Sequence, residues 1–230
     1  MSGHLLAAEA GERLCLLGNE AIVRGALEAG VRFVSGYPGT PASEIGDTFA
    51  RIRDEAGAHF EWSVNEKVAL ETAFGAALMG ARSLCYMKHL GLAYAGDPLG
   101  TIPYVGVAAG MVIVSAADPG MVVSPNEQDQ RHLARMNGIP TLEPSTPADA
   151  CAMTRFAFTL SEQTGLPVIL RTTPRVAHCR GTLRAGERRR SGELQRRTLA
   201  ERLAHSCDRL LVALDDAIHR LLQPGTVHLD

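Results

Sequence analysis

From residue 18 onward the hydrophobic positions switch repeatedly between the three-and-four spacing of a helix and short continuous apolar runs. Gly18-Asn19-Glu20 opens a helix whose Ile22, Ala26 and Leu27 share a face and which stops at Gly30, a residue suited to a left-handed cap. Residues 31–34 read as a short strand, and Gly and Pro make 36–43 a loop. Ser43-Glu44 begins a helix that reaches Ala56, and 60–62 is a strand. Asn65 begins a helix over 67–79, rich enough in Ala and Gly for neighbours to approach closely, and Gly80 ends it. A strand over 83–87 is followed by a stretch to Pro103 that its Gly and Pro mark as loop. Met111-Val112-Ile113-Val114-Ser115 is continuous and β-branched, as expected of a strand covered on both faces. Residues 131–136 are helical. Thr146-Pro147-Ala148-Asp149 sets a capping hydroxyl, a Pro at the first helical position and an acid in the first turn, starting a helix to Gln163. A strand over 166–171 closes the series.

Such alternation predicts an α/β fold, a parallel sheet with helices on both faces, whose loops at the strand C-termini hold ligands. The regular pattern covers residues 14–180 and predicts one domain. From 181 the composition shifts to Arg and Glu, with Arg188-Arg189-Arg190 interleaved by acids, which predicts a charged, solvated linker over 181–200. Leu203, Leu210, Leu211, Leu214, Ile218 and Leu221 then share one face of an amphipathic helix over 201–223, ahead of Pro224.

Bulk properties remove several function classes. The 230 residues carry a formal charge of −2, which supplies no field for nucleic acid or an anionic membrane. Apolar runs are strand-sized, well short of the roughly 20 residues of a spanning helix. Around Glu9 and Glu12 the chain lacks the basic start and apolar core of a secretion signal, so a cytoplasmic location is expected. Cys15, Cys85, Cys151, Cys179 and Cys207 are widely spaced and form no Cys-x-x-Cys, against a zinc site, an iron–sulfur cluster or a disulfide framework in this chain.

Candidate chemistry falls in the predicted loops. Glu66 is a lone acid where a strand hands over to a small-residue helix, a position that suits either a capping acid or a carboxylate that holds a cofactor. Thr40 adds a hydroxyl to a Pro/Gly turn, His89 follows a strand, and Lys88 stands beside it. Each has an ordinary structural reading as a turn hydroxyl, a core imidazole or a solvated lysine.

The segments Gly36-Tyr37-Pro38-Gly39-Thr40-Pro41, Trp62-Ser63-Val64-Asn65-Glu66-Lys67, Met87-Lys88-His89-Leu90-Gly91, Asp118-Pro119-Gly120-Met121 and Val168-Ile169-Leu170-Arg171-Thr172-Thr173-Pro174-Arg175-Val176-Ala177-His178 follow one another in order and with ordinary spacings. From Leu16 to Arg180 the chain resembles the thiamine-diphosphate-dependent 2-oxoacid:ferredoxin oxidoreductases. Within them it is most similar to the alpha subunit of the indolepyruvate:ferredoxin oxidoreductases, at its N-terminal pyrimidine-binding domain. The resemblance implies a pyrimidine-type thiamine-diphosphate-binding fold with Glu66 and His89 as catalytic residues. Glu66 would hydrogen-bond N1′ of the cofactor's pyrimidine, with Pro38, Thr40, His89 and Gly91 around it and Thr40, Lys88 and Asn126 facing the substrate. It also implies a 2-oxoacid substrate, coenzyme A, electrons passed indirectly to ferredoxin, and an oligomeric, heteromeric assembly.

Two departures qualify the match. Where the family reads Gly-Met-His-Ser-Ser-Gln-Asn-Glu-Gln-Asp, Val122 and Val123 replace a His and a Ser, and Ala93 stands where Asn is usual. The Gly-Asp-Gly motif that grips the diphosphate through Mg²⁺ is absent: Gly46-Asp47-Thr48 and Gly96-Asp97-Pro98 both lack the second Gly. The chain is therefore expected to supply half a site, with the diphosphate and Mg²⁺ held by a partner domain. A subunit of a non-oxidative 2-oxoacid decarboxylase or a non-catalytic partner module would use the same half.

Overall fold

The computed structural model describes residues 5–6 and 9–189. The chain divides into two units, Met1–Leu194 and Gln195–Asp230, and every described residue lies in the first. The elements run β1 (Arg13–Leu17), α1 (Gly18–Glu28), β2 (Phe33–Gly36), α2 (Ser43–Ala56), β3 (His59–Trp62), α3 (Glu66–Leu78), β4 (Ser83–Lys88) and α4 (His89–Tyr94). They continue with α5 (Gly96–Val105), β5 (Met111–Ala116), α6 (Gln130–Met136), β6 (Thr141–Leu142), α7 (Pro147–Thr164), β7 (Val168–Thr172), α8 (Pro174–Ala177) and β8 (Arg180–Arg184).

Six strands form one parallel sheet in the order β3-β2-β4-β5-β7-β6. Its central strands β4, β5 and β7 are buried almost throughout because both faces are covered. Leu84, Tyr86, Val112, Val114 and Leu170 join one core with residues of α1, α2 and α7. The alternate residues Cys85, Met87, Ile113 and Ile169 join a second core with α3, α4, α5 and α6. Helix ends follow local chemistry. Thr146 accepts the Asp149 N–H at 3.1 Å to start α7, a cap worth about 1 kcal/mol, and the left-handed Gly165 ends that helix.

The strand order fixes where a ligand can sit. From β2 the chain first goes outward to β3, then crosses back to β4 on the other side, so the order reverses between β2 and β4. In open α/β sheets that reversal leaves a crevice beyond the strand C-termini. Here it lies between the loop after β2 and the start of α4.

The structure differs from the sequence reading in several places. Residues 181–184, expected as linker, are strand β8, paired antiparallel with β1, which has no counterpart in the predicted elements. The ribbon lays Leu14, Leu16 and Leu183 on the core while Arg13, Arg180 and Arg184 are exposed. The stretch after β4, expected as loop, is α4 and α5. Pro98 occupies the first turn of α5, where no N–H is needed, and Pro103 falls in its last turn. Two-residue β6 is too short to leave a pattern. The remainder of the expected linker from 190 and the expected helix over 201–223 lie outside the described residues.

Candidate cofactor site at the sheet edge

Glu66 is placed by the turn between β3 and α3. Asn65 accepts the Val68 N–H at 2.9 Å, capping α3 and leaving Glu66 as its first residue. The helix can lie close to the sheet because Ala69, Ala73 and Ala77 face it, and Ser35 of β2 donates to the Ala69 carbonyl at 2.7 Å. The Glu66 side chain rests on α4 at Gly91. A Cβ added to Gly91 would stand 2.3 Å from Glu66 Cγ and 2.7 Å from its Oε1. Gly91 is thus the floor of a cradle that only a residue without a side chain can form. Among the described residues the Glu66 carboxylate has no hydrogen-bond or ion-pair partner. It also adds to the rise of the neighbouring Cys85 thiol, which burial pushes far up and a hydrogen bond with Ser35 partly counters.

Lys88 and His89 serve a different geometry, because the residues after β5 fold into a strap over them. The buried Asp118 carboxylate accepts the Val123 N–H at 2.9 Å and the Ser124 hydroxyl. Lys88 Nζ donates to the Val123 carbonyl at 3.0 Å and stands 3.8 Å from Asp118 Oδ2. The fully buried His89 donates from Nε2 to the Asn126 carbonyl at 3.0 Å. A carbonyl can only accept, so Nε2 carries the proton, and in the neutral ring Nδ1 is a bare lone pair. That Nδ1 is buried without a partner among the described residues. Met121, at a φ of 53°, turns the strap outward and leaves Val122 and Val123 exposed.

Burial alone would raise the Asp118 carboxyl, but the hydrogen bonds from Ser124 and Val123 and the charge of Lys88 outweigh it and hold it below the ordinary carboxylate value. The ionised group therefore stabilises the folded strap above its unfolded-state pKa, and this contribution is lost as pH falls through the folded value. Asp118→Ala should loosen the strap by about 1.5–3 kcal/mol, the usual worth of hydrogen bonds to a charged group. Hydrogen exchange at the Val123 amide reads this directly, and wild-type protection in the variant would show that Asp118 is not the anchor.

Pro38 and Thr40 are exposed on the loop after β2. That loop packs on Lys88 through Gly39, whose added Cβ would meet Lys88 Cβ at 3.0 Å. Beneath it the Tyr86 ring occupies the space a side chain would need at Gly36 and Gly46. The structure thus brings Glu66, Gly91, His89, Lys88 and the Thr40 loop to one edge. It engages Asn126 through its carbonyl and Lys88 in the strap. Sequence reasoning missed Asp118 as an anchor and Asn19 of α1, a fully buried amide that donates to the Pro41 carbonyl at 2.7 Å. The Gly18-Asn19-Glu20 run signalled only a helix start.

Comparison with known proteins gives the family. Residues 24–213 match the family described as pyruvate flavodoxin/ferredoxin oxidoreductase, thiamine diphosphate-binding. The chain belongs to that family. It is 55% identical over 185 residues to the indolepyruvate oxidoreductase subunit IorA of Methanothermobacter marburgensis, covering 80% of this chain and 30% of that protein. The Archaeoglobus fulgidus IorA is 46% identical over 181 residues, covering 77% and 29%. A solved structure of 2-oxoglutarate:ferredoxin oxidoreductase from Magnetococcus marinus superposes with a TM-score of 0.69 at 23% identity, covering 80% of this chain and 32% of that one, which shows the shared fold. The chain thus spans about 30% of the length of these relatives.

The residues present fit the pyrimidine end of the family's cofactor. A carboxylate without a protein partner among the described residues lies against Gly91 of α4, beside the loops at the strand C-termini. Among the described residues no helix is long and apolar enough to cross a membrane.

Proposed function

We propose that this chain is the pyrimidine-binding half of a thiamine-diphosphate-dependent 2-oxoacid:ferredoxin oxidoreductase of the indolepyruvate type. The observation that carries this is the Glu66 carboxylate on Gly91, without a partner among the described residues, at the strand-order reversal, together with 46–55% identity to proteins named indolepyruvate oxidoreductase subunit IorA. When bound, thiamine diphosphate supplies the carbon that adds to a 2-oxoacid and takes up the electron pair released on decarboxylation. Glu66 orients the pyrimidine ring by a hydrogen bond at N1′ and shares the proton there, the work of a positioned general acid–base group. Thr40 faces the substrate carboxylate. His89, through its bond to Asn126, fixes the strap beside that space, and its bare Nδ1 is the lone pair available to accept a hydrogen bond from within the site. The diphosphate and Mg²⁺ are held by a separate diphosphate-binding domain. Coenzyme A and, indirectly, ferredoxin complete the reaction in a cytoplasmic hetero-oligomer.

Calorimetry tests the half-site reading. The purified chain with Mg²⁺ should bind thiamine diphosphate weakly and gain affinity when the diphosphate-binding partner is added. Tight, Mg²⁺-dependent binding by the chain alone contradicts it.

A further inference from the structure

The exposed Thr40 hydroxyl has no hydrogen-bond partner among the described residues, so the backbone that carries it sets where it stands. That backbone is held from below. Asn19 uses both hydrogens of its amide nitrogen, one on the Pro41 carbonyl at 2.7 Å and one on Glu44 Oε2 at 2.8 Å. Both partners are acceptors, so the amide cannot be turned the other way. Glu44 Oε1 lies 3.3 Å from Nε2 of His178. The support is rigid. A Cβ on Gly18 would stand 2.0 Å from the Val176 carbonyl, and the Gly18 N–H donates to the Cys179 carbonyl at 3.1 Å, so backbone meets backbone where α1 begins. On the loop side the Ala42 N–H closes the turn onto the Gly39 carbonyl at 2.7 Å, with Thr40 between them.

We propose that Asn19 is a positioning residue for substrate binding, fixing the Pro41 carbonyl and with it the Thr40 hydroxyl, with Glu44 and His178 holding the Asn19 amide in register. This rests on the reading that Thr40 faces the 2-oxoacid. A loop tied from below by a buried amide transmits small displacements of that amide to the bound substrate, and shifts of about 1 Å can cost large factors in binding or rate.

The test uses the complex reconstituted with the diphosphate-binding partner and indole-3-pyruvate as substrate. In Asn19→Asp an oxygen replaces the donor against both Pro41 and Glu44. In the double variant Asn19→Asp with Glu44→Gln, the introduced glutamine amide donates to the new carboxylate and restores the tie to α2, while the Pro41 carbonyl still meets an oxygen. KM should rise about tenfold or more in both variants, with kcat little changed, because contact to the substrate carboxylate is made equally before and in the transition state. Exchange of the cofactor's C2 proton, which depends on Glu66, should stay at the wild-type rate. Return of KM to wild type in the double variant together with thermal stability would overturn the proposal and leave Asn19 a packing residue. So would an unchanged KM in Asn19→Asp while Thr40→Val raises it. If Thr40→Val itself leaves KM unchanged, the reading of Thr40 has failed and the proposal falls with it.

Discussion

Gly91→Ala should lower the activity of the assembled enzyme about 100-fold while the chain stays folded. The added methyl would stand 2.3 Å from Glu66 Cγ and 2.7 Å from Oε1, well inside contact distance. Of the two groups, the glutamate side chain is the one able to move, since α4 is packed into the core through Leu92 and tied to the strap through His89. The carboxyl would therefore swing away from the crevice with little cost to the fold. Displacing a positioned group by about 1 Å can cost on the order of 10²-fold. Steady-state turnover and thermal melting together measure this. Gly39→Ala is the comparison: its Cβ would meet only the stem of Lys88 at 3.0 Å, and a smaller loss is expected. Full activity in Gly91→Ala would mean that the cradle does not set the position of Glu66.

The architecture was legible because its strongest signals are local. Met111-Val112-Ile113-Val114-Ser115 could be read as a doubly covered strand from its own residues, and Thr146 and Asn65 as helix caps from theirs. The place of Glu66 in the first turn of α3 was legible from the residues around it. What the sequence concealed is long-range. Asp118, Lys88 and His89 meet only because β4 and β5 are neighbours in register, with Lys88 opposite Ala116. Nothing in the residues between His89 and Asp118 announces that pairing. Asn19 and Pro41 come together through the seat of α1 on residues 176–179, and a buried amide at a helix start looks like any polar first-turn residue. The β1–β8 ribbon joins the first and last strands of the described chain, and β8 lies at the start of the Arg- and Glu-rich stretch that reads as a linker. The glycines and prolines after β4 suggested a loop for a similar reason. Position within the turn decides whether a proline breaks a helix, and Pro98 sits where it does not.

The second large effect falls on Glu66 itself. Glutamine has the same size and can occupy the same cradle on Gly91, but its amide has no proton to share with N1′. Loss of a positioned acid–base group typically lowers rate by roughly 10²–10⁴-fold. Glu61, half-buried in β3, and Glu71, on the outward side of α3 within 4.0 Å of Lys67, carry carboxylates without that position, and Glu61→Gln and Glu71→Gln should be mild. The most direct measurement is exchange of the cofactor's C2 proton with solvent deuterium, followed by NMR in the complex of this chain, its diphosphate-binding partner, Mg²⁺ and thiamine diphosphate. Glu66→Gln should nearly abolish exchange while melting at the wild-type temperature, whereas exchange at the wild-type rate would leave Glu66 a first-turn acid of α3 and contradict the cofactor site.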